Sequence, residues 1–258
     1  MPEVLIAQDS RGVLRITLNR PERRNAITVG MMNAIREAIE ATRTDKEARV
    51  IVITGAGDRA FCAGADLSAG DTPFKPDFAQ LNLPFADLLR AAQGSPVPIV
   101  CAFNGACVAG GMGFLGICDF ALAANTARFG MPEAKIGLFP MQIVAVLRDL
   151  LPYRLMRDLC FTGRLMSAEE ALARGIVNTV CPADQLESEV ETLIETLLSV
   201  SPVAARRGRY ALRTMADMTF EQMIAFAETQ IGPMILTEDA REGIAAFNEK
   251  RDPVWPNA

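Results

Sequence analysis

Pro98-Ile-Val-Cys-Ala-Phe103 is an unbroken apolar run, and Asn104-Gly-Ala-Cys-Val-Ala-Gly-Gly-Met-Gly-Phe114 follows it at once. A short apolar run without polar alternation marks a strand covered on both faces. The glycines behind it let backbone N–H groups come close to a ligand. The same pattern occurs earlier. Arg49-Val-Ile-Val-Ile-Thr54 is a second buried strand, and the glycine-rich stretch from Gly55 to Gly64 leads through Phe61-Cys-Ala-Gly-Ala-Asp-Leu67. Asp119-Phe-Ala-Leu-Ala123 predicts a third strand. Upstream, Val4 to Ala7 and Val13 to Leu18 read as strands around a turn at Asp9 to Gly12. Thr28 can then cap a helix whose Met31, Met32, Ile35, Ala38 and Ile39 recur at helical spacing. Strands alternating with helices predict an α/β fold with a largely parallel sheet.

Residues 68–84 are proline-bearing and aperiodic, and read as a mobile surface loop. Toward the C-terminus helices dominate. Gln185 to Val200 carries Leu186, Val190, Leu193, Ile194, Leu197 and Leu198 on one stripe, and further helices are predicted over 202–217, 220–236 and 238–250. Apolar positions after residue 200 exceed what one helix pair can hide. That divides the chain into a core over 1–200 and a helical oligomerisation region over 201–258, and predicts a trimer or hexamer.

The chain has 258 residues, suiting one large domain or a domain with an appendage. Its net charge of −5 gives no support to a nucleic-acid partner. No apolar run approaches the length of about 18 residues needed to cross a membrane, and Met1 to Arg20 lacks the apolar stretch of a signal peptide. There is no histidine. That excludes Ser-His-Asp and Cys-His catalysis, histidine metal sites and the commonest general base. Only four lysines are present, so carboxylates are the leading acid–base candidates, and no metal site is predicted. The six cysteines form no C-x-x-C pair and mostly sit in apolar sequence, as reduced core residues of a cytoplasmic protein do. Cys62, in a glycine-rich loop, is the one candidate reactive thiol.

Two N–H groups from different glycine turns can form an oxyanion hole. Gly110 and Gly111 stand where a short helix would begin, so a free N–H and the helix dipole can face developing negative charge. Taken singly, each turn is a weak signal and reads first as a tight strand-to-helix connection. Neither fits a dinucleotide fingerprint, and no phosphate-loop lysine is present. A third element, Phe129-Gly-Met-Pro-Glu133-Ala-Lys-Ile-Gly-Leu-Phe-Pro140, sets one carboxylate among apolar and glycine residues. Burial there would raise the pKa of Glu133 and suit it to proton transfer near neutrality. The alternative is a first-turn helical glutamate facing water.

In this order and spacing the three elements resemble the crotonase superfamily, the enoyl-CoA hydratase/isomerase family. Asn19-Arg-Pro-Glu-Arg-Arg-Asn25-Ala-Ile27 looks like its N-R-P-x-x-x-N-A signature, and Phe61 to Leu67 matches its A-G-x-D-L turn. Asn104-Gly105 with Ala109-Gly110-Gly111 matches its second oxyanion turn. Cys118-Asp119, Pro132-Glu133, Gly137 to Pro140, Phe161 to Gly163, Ala168 to Ala171, Gly175 to Asn178 and the ending from Gly243 to Arg251 also fit, so the likeness spans the chain. The resemblance implies a spiral of ββα units with a C-terminal helical trimerisation region, assembled as a homotrimer or a dimer of trimers. It implies an acyl-CoA substrate whose thioester oxygen is held by the N–H groups of Ala65 and Gly110, with Glu133 as acid and base. Ala63, Gly64, Asp66, Leu67 and Gly111 would belong to the CoA-binding and oxyanion turns. Arg23, Arg24 and Ala26 would line the outer channel, and Phe247 and Lys250 would reach a CoA from a C-terminal helix, the neighbouring subunit's included. No cofactor is implied beyond the coenzyme A of the substrate.

One position departs from the family pattern. Its hydratases use two glutamates, one after the second oxyanion turn and one in the P-E pair. The first aligns here with Gly113, within Gly110-Gly-Met-Gly113. Hydration needs a proton taken from water and one given to carbon, which two carboxylates serve. Shifting a double bond needs one proton moved two atoms along, and a single carboxylate suffices. The isomerase branch resembles this arrangement, so Glu133 alone predicts Δ3–Δ2 enoyl-CoA isomerase-like chemistry. A 2-enoyl-CoA hydratase is the alternative, with Asp71, Asp77 or Asp87 as substitute acids. The dehalogenase branch needs an aspartate near Met141 and none is there. A non-catalytic acyl-CoA binder is a third class, but would gain nothing from a buried acid. Asp66 and Asp119 read as structural. Arg206, Arg207, Arg209 and Arg213 read as a solvated or interface face. Met141, Gln142 and Ile143 wall the acyl pocket or face the core, with Gln142 alone offering a hydrogen bond.

Overall fold

The apolar runs pair with one another in a computed structural model that describes residues 1–68, 78–79 and 81–258. Val4–Gln8 (β1) and Val13–Leu18 (β2) are antiparallel, and β2 lies parallel to Val50–Gly55 (β3), with Val13 opposite Val50. The remaining strands are Ala60–Cys62 (β4), Ile99–Phe103 (β5), Ala106–Val108 (β6), Phe120–Ala124 (β7), Arg128–Gly130 (β8), Leu165–Ser167 (β9) and Thr179–Cys181 (β10). The larger sheet runs β1-β2-β3-β5-β7-β10 and is parallel from β2 onward; the smaller runs β4-β6-β8-β9.

The helices are Val29–Ala41 (α1), Pro84–Gln93 (α2), Met112–Ile117 (α3), Met141–Leu147 (α4), Tyr153–Thr162 (α5), Ala168–Ala173 (α6), Leu186–Ser199 (α7), Pro202–Met215 (α8), Phe220–Ile235 (α9) and Glu238–Glu249 (α10). Three times in succession the chain gives one strand to the large sheet, one to the small sheet, and then a helix: β3-β4-α2, β5-β6-α3, β7-β8-α4. This is the α/β spiral of ββα units that the resemblance implies. The repeat lies in topology and not in a fixed interval.

The apolar runs are two-sided, as their lack of alternation requires. Ile51, Ile53, Ile99, Cys101 and Phe103 face a core shared with α1, α2 and α3. Val50, Val52, Val100 and Ala102 face a second core closed by Leu186, Val190 and Ile194 of α7. A chain of rings, Phe114–Phe61–Phe103–Phe129, joins the two sheets, with centroids 4.7–5.5 Å apart. The Thr28 hydroxyl accepts the Met31 N–H at 3.1 Å and so caps α1.

Three sequence expectations change. The stretch 68–84 lies partly outside the described residues, and its last residue, Pro84, opens α2, where proline's missing N–H costs nothing. Asp71 and Asp77 lie outside the described residues, whereas Asp87 sits on α2 and pairs with Arg90 at 3.0 Å. Of the four arginines on α8, Arg207 and Arg213 are exposed, as a solvated face requires, but Arg206 and Arg209 turn inward. Arg206 donates to the carbonyls of Thr42, Asp45, Lys46 and Ala48 behind α1. Arg209 donates to those of Ala92, Gln93 and Ser95 behind α2, and to Asp119 at 2.8 Å. Cations at helix C-termini offset the dipole and satisfy orphan carbonyls, so these side chains fasten α8 to the core. Asp119 also accepts the Ile99 N–H, so its role is structural.

Candidate active site

The two glycine turns meet. In the first, Gly64 has φ +94°, and Ala65 bridges in parallel to Ile27. In the second, Ala109 has φ +50° at the head of a 3-10 helix, Ala109–Gly111, that runs directly into α3. A Cβ on Gly64 would lie 2.8 Å from the Ala109 Cβ and 3.2 Å from the Gly110 nitrogen. One on Gly110 would lie 3.4 Å from the Ala65 nitrogen. A side chain at 64 would therefore clash as well as strain the backbone, whereas a methyl at 110 would make an ordinary contact. The second position of a 3-10 helix has no intrahelical acceptor for its N–H, and that is where Gly110 stands. The bridge bonds use the carbonyls of Gly64 and Ile27 and the N–H groups of Ile27 and Asp66, leaving that of Ala65 out of the ladder.

The loop from Asn19 to Ile27 is scaffolding for the first turn. Asn25 is fully buried in a left-handed conformation, and its amide donates to Ala56 and Ala60 while accepting the Arg20 N–H. Arg20 donates to the Ala26 carbonyl and to Asp66, each at 2.8 Å. Two hydrogen bonds from Ser68, with the Arg20 guanidinium beside them, hold the Asp66 carboxyl well below the usual carboxylate range. So engaged, Asp66 fixes the turn and has no free oxygen chemistry to offer. Cys62 is buried, and burial pushes its thiol up to about 12, which removes it as a reactive group.

The turns open on a cavity of about 520 Å³, a common size for a small-molecule pocket. Ala63, Ala65, Leu67, Gly110 and Glu133 all line it. Gly64 and Gly111 sit behind; a Cβ on Gly111 would meet the Cys62 carbonyl at 2.5 Å. Arg23, Arg24 and Ala26 stop short of the cavity wall, which Ile27 reaches. Phe247 and Lys250, on and just after α10, are both exposed and do not line it within one chain.

Glu133 lies in the first turn of a short 3-10 helix, Pro132–Ile136, that Gly137 ends at φ +78°. It does not point to open water. Its Oε2 is buried and has no hydrogen-bond partner among the described residues. Burial raises its pKa, and a hydrogen bond from its own backbone offsets this in part. Among the described residues lining the cavity it is the one carboxylate; Lys135 and Gln142 supply the other polar side chains.

Sequence reasoning identified the empty position at 113 but not what fills it. A Cβ on Gly113 would lie 2.7 Å from Phe85 Cζ and 3.3 Å from Leu89 Cδ2. Phe85 is itself part of the cavity wall. At the place where the resemblance implies a second carboxylate in hydratases, the space beside Gly113 is taken by an aromatic ring from α2. Helix α2 was not anticipated, and no signal near Gly113 points to it.

Comparison with known proteins agrees with this architecture. Residues 8–258 match the family described as enoyl-CoA hydratase/isomerase. A carnitinyl-CoA dehydratase of Salmonella enteritidis is 37% identical over 99% of both chains. The crystal structure of an enoyl-CoA hydratase from Mycobacterium smegmatis superposes with a TM-score of 0.91 at 30% identity, covering 99% of each chain. Pseudomonas aeruginosa AtuE superposes at 0.89 with 32% identity, covering 98% of this chain and 99% of that one.

Proposed function

The chain belongs to the enoyl-CoA hydratase/isomerase family, and from a cavity whose one described carboxylate is Glu133 we propose that it shifts the double bond of an enoyl-CoA from Δ3 to Δ2. It is an enzyme of that family acting on acyl-CoA thioesters. In the proposed reaction the ionised Glu133 takes a proton from C2 of a 3-enoyl thioester. The C–H electron pair passes into a dienolate whose oxygen rests on the N–H groups of Ala65 and Gly110. The same proton returns to C4, the C2–C3 double bond forms, and Glu133 is ionised again. Protons balance with one carboxylate, and no water is consumed. An unpaired oxygen in an apolar wall is suited to this, because desolvation brings the carboxyl pKa nearer neutrality.

The observation that carries the reading is Phe85 packed against Gly113. It occupies the side from which a second carboxylate would act and leaves an apolar surface there. The second reading is hydration of a 2-enoyl-CoA to the 3-hydroxyacyl-CoA, or the reverse dehydration of that hydroxyacyl-CoA, favoured by the relatives named as a carnitinyl-CoA dehydratase and an enoyl-CoA hydratase. Turnover of 3-enoyl-CoA and 2-enoyl-CoA side by side separates the two. Isomerisation should dominate, and Glu133→Gln should lose about 100- to 10,000-fold of it with little change in thioester affinity. Hydration by the unmodified enzyme at about 10 per second or more would sink the isomerase reading.

The CoA is assigned to Ala63, Gly64, Asp66, Leu67 and Gly111 on the near side, with Arg23, Arg24 and Ala26 outside. Phe247 and Lys250 are assigned to a neighbouring subunit's CoA in a homotrimer or dimer of trimers. Exposed Phe220, Ile231, Ile235, Leu236 and Phe247 on and beside α9 and α10 support such an assembly. A scattering mass of a single chain at micromolar concentration would overturn it. A cytoplasmic location fits the six unpaired cysteines.

A further inference from the structure

The cavity wall holds one uncharged polar side chain among the described residues, and the reaction just proposed makes no use of it. Gln142 lies in the first turn of α4, half-buried between Met141 and Ile143, and all three line the cavity with Glu133, Ala65 and Gly110. No hydrogen bond to its amide is found among the described residues. Lys135, the other polar lining residue apart from Glu133, is exposed, and its stem runs along Gly163, whose Cβ would meet Lys135 Cε at 2.9 Å. Water can satisfy this half-buried amide while the cavity is open, because its polar atoms are not enclosed as Glu133 Oε2 is. An acyl chain that displaced the water without offering a polar partner would leave the amide unsatisfied, at a cost in free energy. In ligand pockets a few polar groups among apolar ones fix orientation and select the substrate.

We propose that Gln142 recognises a neutral oxygen carried on the acyl chain, a hydroxyl or keto group beyond C3, so that the preferred substrates are oxygenated acyl-CoA thioesters. An amide both donates and accepts, so it serves either group. A second carboxylate on the chain is disfavoured, because it would share the cavity with Glu133 and the two like charges would oppose each other. This rests on the acyl-CoA reading of the site and deepens it, but not on which reaction follows.

Saturated thioesters do not react by either route, so their affinities test the proposal apart from the chemistry. Calorimetry on the full-length protein would compare hexanoyl-CoA with its 4-hydroxy, 5-hydroxy and 5-keto analogues and with adipoyl-CoA. At least one hydroxy or keto analogue should bind about 3- to 10-fold tighter than hexanoyl-CoA, the range of one neutral hydrogen bond. That advantage should vanish in Gln142→Met, which keeps the length and removes both polar atoms, and should persist in part in Gln142→Asn. A melting curve on each variant establishes that it is folded. No advantage for any oxygenated chain, an advantage that survives Gln142→Met, or a preference for adipoyl-CoA would each overturn the proposal. Failure of hexanoyl-CoA itself to bind at millimolar concentration would overturn the acyl-CoA reading along with it.

Discussion

Filling the vacancy at residue 113 tests the one-carboxylate site most directly. The perturbation is first a single methyl. In Gly113→Ala the new Cβ would sit 2.7 Å from Phe85 Cζ and 3.3 Å from Phe85 Cε1 and Leu89 Cδ2. Both neighbours are buried, Phe85 at 7% exposure and Leu89 at 6%. The ring tip can swing toward the cavity, which it lines, so the cost belongs in the overpacking range of about 1–3 kcal/mol, toward its lower end. Phe85→Leu removes the offending ring edge. The pair should therefore be less destabilised than the sum of the single variants, by about 1 kcal/mol, as contacting residues are. Urea melts of the four proteins give that coupling. The functional arm replaces the methyl by the missing group. Gly113→Glu alone should be poorly stable, while Gly113→Glu with Phe85→Ala opens the space and should raise hydration of a 2-enoyl-CoA relative to isomerisation. A Gly113→Ala cost of zero, with no coupling to Phe85, would refute the claim that the ring occupies the carboxylate's place. A relieved double variant with an unchanged product ratio would refute the claim that this place decides the reaction.

The raised pKa of Glu133 has a signed consequence. The proton acceptor must be ionised, so kcat/KM should fall as pH drops through a value above the ordinary 4.5 for glutamate, and an acid limb at or below that value would contradict the assignment. The same shift makes the fold most stable below pH 4.5 as far as Glu133 is concerned and less so as pH rises through the raised value, so Glu133→Gln should melt higher than the parent at neutral pH. Gly64→Ala should cost at least about 1–2 kcal/mol from its left-handed backbone alone. It should also lower turnover by pressing the oxyanion turns apart, and an active, equally stable Gly64→Ala would count against their close approach. Cys62, with its thiol raised to about 12, should resist alkylation at pH 8 until the protein unfolds; rapid labelling of the folded chain would show the turn to be open.

Much of the fold was legible because the decisive strands are two-sided. Val50 to Ile53 and Ile99 to Phe103 carry apolar residues at every position, and each alternate residue faces a different core. The boundaries of α7, α8, α9 and α10 were legible for a different reason: amphipathic helices advertise their period, and Ser201, Thr219 and Thr237 cap three of them. The three-residue strands β4, β6, β8 and β9 were not legible. Two or three positions cannot express a period, and their pairing depends on partners more than 20 residues away.

The site divides along the same line. Gly64, Gly110 and Glu133 could be found because local chemistry marks them: glycines where backbones must touch, and an acid where apolar residues surround it. Arg20 and Asn25 were read as part of a signature, but their work is to tie a loop to Asp66 and to strand ends, which only the folded chain displays. Gly113 is the sharpest instance. A glycine announces that a side chain is missing, yet it cannot announce what takes the space. Phe85 lies on a helix whose Phe85, Leu88, Leu89 and Ala92 recur at helical spacing behind Pro84, but that spacing marks only a buried face and not the residue the ring meets. Once folded, it turns an absence into an apolar wall. The chemistry assigned to Glu133 therefore depends on a contact between two residues, neither of which carries a functional group.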